Sequence, residues 1–172
     1  TPTRSHFQAM AEMERAAPGT PLRSGWLDRT LGLRSAGTAY RGMQVGMNMP
    51  SVALKGPAPE LAVLSVDSFT LAQVDSRADR ARWREALAGM NADAPSVMAA
   101  PARTALSAIG AAAEMQRDGY RARSGVSYPK SEVGTALKDV ARMIKAKVGL
   151  QVAAVDYGEW DMHAGMGGVG SG

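Results

Sequence analysis

The chain has 172 residues, a hydrophobic fraction of 45% and a net charge of +4, which suits one ordinary domain with its own core. It contains no cysteine, so disulfides and thiolate metal sites are excluded. No run of 18 apolar residues occurs and no membrane-spanning segment is expected. Basic groups are interleaved with acids, without finger spacing, RNP motif or continuous basic stripe, so nucleic acid is not an expected partner.

Aromatics are sparse at 5% while Gly and Met are plentiful, so the expected core is aliphatic, alanine-rich and padded with methionine. The first helix reads from Phe7, Met10, Ala11 and Glu14, with Ser5 or Thr3 as its cap. Hydroxyls and His6 at a helix start are candidates for an anion or phosphoryl site. The plainer reading is a capping serine beside a partly buried histidine. Pro18-Gly19 closes this helix. A short second helix is predicted over Ser24 to Leu33, with Asp28 and Arg29 on a solvated face.

Tyr40, Met43, Val45, Met47 and Met49 alternate loosely, as in a half-buried strand. Lys55 to Pro59 is a turn with restricted backbone. Leu61 to Val66 is a second strand candidate, followed by Asp67 as a turn residue. A third helix is predicted over Asp75 to Met90, its arginines and acids forming a solvated charged face. Pro101 suits a first helical turn, and Leu106, Ile109, Ala113 and Met115 carry a fourth helix to about Arg117. The stretch from Arg117 to Pro129 reads as an exposed loop.

Ser131 is a helix cap, and Val133, Leu137, Val140, Ala141, Ile144 and Val148 recur at three- and four-residue steps. Glu132 in the first turn and Lys145 and Lys147 in the last match the helix dipole, and Gly149 ends the helix. The apolar run Val152 to Val155 follows at once, so a strand is predicted over about Leu150 to Val155. Helix then strand is half of a crossover unit, and the fold class is α/β with a helical majority. Asp156 stands where the strand ends, and ligands gather at such ends in open α/β sheets. Glu159, Trp160, Asp161 and His163 follow. Asp161 and His163 in one loop can face a single ion, a pairing that suits zinc, manganese or iron better than calcium. The alternative is a surface loop with an Asx-turn and a solvated histidine.

Three stretches carry a family resemblance. The segment T-R-S-H-F with the following M-E-R, then G-W-L-D-R, resembles the DUF1501 family. The long block from Tyr128 through G-E-W-D-M-H resembles the same family's later block, in the same order. That family is grouped with the alkaline phosphatase and sulfatase superfamily. The resemblance implies part of an alkaline-phosphatase-like parallel sheet flanked by helices, with 1–172 as a single partial domain of a longer chain. It implies Asp161 and His163 as metal ligands, and Ser5, His6 or Thr3 near the nucleophile, with Thr1 a further hydroxyl. The implied cofactor is a divalent metal (zinc, manganese or calcium), and the implied partner is an anionic small-molecule ester. The implied location of the full-length parent is periplasmic or secreted, by the twin-arginine route. The rival expectation is a non-catalytic exported binding or structural protein that retains the hydrolase fold.

Overall fold

The computed structural model describes residues 5–33, 37–71 and 76–158. In chain order the elements are α1 (His6–Arg15), α2 (Trp26–Gly32), β1 (Gly42–Val45), β2 (Glu60–Val63), α3 (Arg77–Met90), α4 (Ser96–Asp118), α5 (Glu132–Lys145) and β3 (Val152–Val155). The strands form one parallel sheet in the order β2-β1-β3. The α/β class is therefore observed, with helices flanking a small parallel sheet.

β1 is the centre of the molecule. All four of its residues are buried, unlike the half-buried alternation the sequence suggested. The reason is its middle position, since a central parallel strand is covered on both faces. Successive strand residues point to opposite faces. Met43 and Val45 pack with Ala108 and Met115 of α4 and with Ala136 and Met143 of α5. Gly42 faces the other way, against Leu31 of α2, where a Cβ would lie 2.6 Å from the leucine methyl. The methionine-padded aliphatic core is observed here: Met43 and Met143 are both fully buried.

α5 begins one residue after its Ser131 cap, whose hydroxyl accepts the Gly134 N–H at 3.2 Å. It ends at Lys145, and the chain then turns through left-handed Lys147 and Gly149 before β3. Its buried face takes in only part of the predicted stripe, through Val140 and Val148. Ala136, Asp139, Arg142 and Met143 point inward, while Leu137 and Ile144 are 47% and 60% exposed. Two polar side chains claim the inner face because loop backbone there needs partners. The Asp139 carboxylate accepts the Val66 N–H at 2.8 Å. Arg142 donates to the Met115 carbonyl at the end of α4 and to Asp67 Oδ1 at 2.7 Å. Asp67 is thus a salt-bridge partner as well as a turn residue.

α4 starts a full turn earlier than Pro101 suggested, so that proline lies inside the helix. A proline there removes one bond to the carbonyl four residues back. That carbonyl belongs to Val97, a residue 78% exposed, so solvent can replace the lost partner. No helix among the described residues is long and apolar enough to cross a membrane.

Candidate functional site at the carboxyl edge of the sheet

The three strands end in register, with Val45 opposite both Val63 and Val155. Gly46, Leu64 and Asp156 therefore lie side by side along the carboxyl edge. Gly46 has φ of +92°, a left-handed conformation that favours glycine, and it lets the chain turn off β1 directly over Ala136 of α5.

Asp156 is held in place from below. Gln44 is completely buried in β1, and its Nε2 donates to Asp156 Oδ2 at 3.1 Å. Its Oε1 accepts the Ser51 N–H at 3.2 Å. One amide thus ties the central strand to the exit of β3 and to the loop that follows β1. The signal was visible but unread: a glutamine set between Met43 and Val45 in an apolar strand needs a buried partner.

Beside this edge lies a groove of about 670 Å³ lined by Gly46, Leu64, Lys130, Ser131, Glu132 and Thr135. The first turn of α5 forms one wall, and its amides carry partial positive charge. Lys130 adds a cation and Glu132 an opposing carboxylate. That helix start is rigidly seated, because a Cβ on Gly134 would come 2.1 Å from the Pro129 carbonyl oxygen.

Ser5 is the N-cap of α1, in extended backbone, and its hydroxyl accepts the Gln8 N–H at 3.3 Å. His6 is the first helical residue and is exposed. α1 is linked to α2 through Arg29, whose guanidinium donates to the Arg15 carbonyl at 2.6 Å. Thr1, Thr3, Asp161 and His163 lie outside the described residues. Among the described residues no group of three or more His, Asp or Glu is placed to hold a metal. Asp156 has the right chemistry for one oxygen ligand, since Gln44 engages one of its two carboxylate oxygens.

A pair of neighbouring carboxylates, Asp28 and Glu60, sits at the opposite, amino edge. Asp28 was expected on a solvated face but is only 2% exposed. α2 begins under the Lys55 and Ala53 carbonyls, and Gly56 leaves room for the aspartate. Its Oδ1 accepts the Ala58 N–H at 2.7 Å, which satisfies a loop amide. Arg29 is likewise partly buried and donates to the Ser24 and Arg15 carbonyls. Glu60 opens β2 nearby. Burial, and then the charge of Asp28, push its carboxyl up to about 7, with Lys55 opposing. Asp139 is also shifted upward, by burial first, with the Val66 N–H acting against it.

No protein-family model, curated protein or solved structure matches the chain.

Proposed function

We propose that the chain contributes the carboxyl-edge portion of a metal-dependent phosphate or sulfate ester hydrolase of the alkaline phosphatase and sulfatase type. The observation that carries this reading is the place of Asp156. It is a carboxylate fixed by a buried amide at the end of a parallel strand, immediately ahead of Asp161 and His163 in sequence. Ligands of open parallel sheets collect at this edge. Asp156, Asp161 and His163 supply oxygen and nitrogen donors of the kind that zinc or manganese takes. Such a metal, when bound, lowers the pKa of a hydroxyl nucleophile and neutralises charge on the ester oxygens. The chain's own residues provide the rest. The first turn of α5 and Lys130 offer positive potential to an anionic ester in the groove. Gly46 keeps the floor of that groove free of a side chain.

A second reading has its own observation. The Ser5 hydroxyl is engaged in capping α1 and not aimed at the carboxyl-edge groove's lining residues, which favours a non-catalytic binding or structural protein that retains the fold. The full-length protein separates the two. Wild type and His163→Ala are compared for bound metal by elemental analysis, and for hydrolysis of an aryl phosphate and an aryl sulfate. The hydrolase reading expects bound metal and turnover in the wild type and loss of both in the variant. Metal without turnover supports the binding protein. Unchanged metal content in His163→Ala removes the metal-site assignment.

A further inference from the structure

α3 presents its basic stripe to a neighbouring helix. Arg77, Arg80 and Arg84 are spaced i, i+3 and i+7, so they share one face of the helix. That face lines a cavity of about 260 Å³ between α3 and α4, together with Gly110, Glu114 and Arg117 of α4. The sequence led us to expect this charged face in solvent. Arg77, Asp79, Arg82 and Glu85 are exposed as expected, while Arg80 and Arg84 are half-buried and line the cavity together with Arg77.

Among the described lining residues the charges do not cancel. Arg117 is paired with Asp118 at 2.9 Å, and Arg80 has a partner of its own. Among the described residues no ion pair engages Arg77 or Arg84. Glu114 is the one carboxylate among the cavity's described lining residues. Gly110 has no side chain, and the Arg84 guanidinium lies close over it, with Nη2 3.0 Å from where a Cβ would stand. Arg77 and Arg80 also sit in the first turns of α3, where the helix dipole disfavours cations. An anion in the cavity would reverse both costs.

We propose that the α3–α4 cavity binds a linear phosphate chain, a diphosphate or triphosphate group, through Arg77 and Arg84. The two arginines are two helical turns apart, about 10 Å along the axis. Guanidinium groups grip phosphate oxygens in pairs. Spaced attachment points favour an extended anion over a single phosphate. The cavity shares no lining residue with the carboxyl-edge groove, so this site is separate from the proposed hydrolase centre.

The test is calorimetric titration of the full chain at physiological salt with tripolyphosphate, orthophosphate and ATP. Tripolyphosphate is expected to bind at least about tenfold more tightly than orthophosphate, a gap of about 1.4 kcal/mol. Equal affinity for ATP and tripolyphosphate supports recognition of the phosphate chain. Binding of ATP alone overturns it. The double variant Arg77→Ala/Arg84→Ala is expected to lose tripolyphosphate affinity by at least about tenfold, and wild-type affinity in that variant overturns the proposal. Should the double variant lose helix by circular dichroism, Glu114→Gln decides. It removes the carboxylate among the described lining residues without changing shape, and is expected to tighten binding severalfold. Unchanged affinity in Glu114→Gln overturns the site.

Discussion

Single residues in this molecule are held by what burial does to their charge. Glu60 is the clearest case. Its proton is retained to about pH 7, whereas an ordinary glutamate releases it near 4.5. Between those values the folded chain binds more protons than the unfolded chain, so stability falls as pH rises through that window. The contribution is full below about 4.5 and gone above about 7. Glu60→Gln stays neutral throughout and can donate toward Asp28. Urea midpoints at pH 5 and pH 8 are expected to drop less for Glu60→Gln than for wild type. Parallel drops would mean that Glu60 is not desolvated in the native state. Gln44 behaves differently: it is neutral, wholly buried, and satisfied at both ends. The sequence offered Asp156 as a strand-end residue, but nothing in the spacing of Gln44 could reveal that the two meet across 112 positions.

Elements were legible where local chemistry decides them. Ser5 and Ser131 cap helices as their positions suggested, while α5 stops at Lys145, four residues before the Gly149 expected to end it. Where tertiary contacts decide, the reading failed. α5 is the instructive example, because Val140 and Val148 of its apolar stripe pack on the core while Leu137 and Ile144 do not, and polar residues take their place. The inward Asp139 and Arg142 answer to the 66–67 loop and the end of α4, which no local pattern encodes. The consequence is measurable. Met143→Ala empties a fully buried site and is expected to cost about 2–5 kcal/mol by chemical denaturation. Leu137→Ala removes a half-exposed side chain and is expected to cost under about 1 kcal/mol. Equal losses would mean that Leu137 packs in the core after all. β1 was misjudged for a related reason: a polar glutamine in a four-residue strand mimics alternation, although both faces are covered.

At the scale of the molecule, order is graded from the sheet outward. β1 is buried along its whole length, while α1 and α3 bury no residue. Hydrogen exchange is expected to follow that gradient. Amides of Met43 and Val45 should exchange only through global opening, and those of α1 and α3 through local fraying. Faster exchange in β1 than in α3 would contradict the sheet as the centre of stability. The strand order has one more consequence. β1 pairs on one side with β2, which follows it closely, and on the other with β3, near the end of the described chain. Thr38 and Val148, joined by a hydrogen bond, are 110 positions apart. During synthesis the first two strands therefore leave the ribosome long before the third. Until then the middle strand has an open edge, the kind of surface that recruits stray chains. The nascent protein depends on the prompt arrival of α5 and β3, and pauses in translating the α3–α4 region would prolong its most aggregation-prone interval.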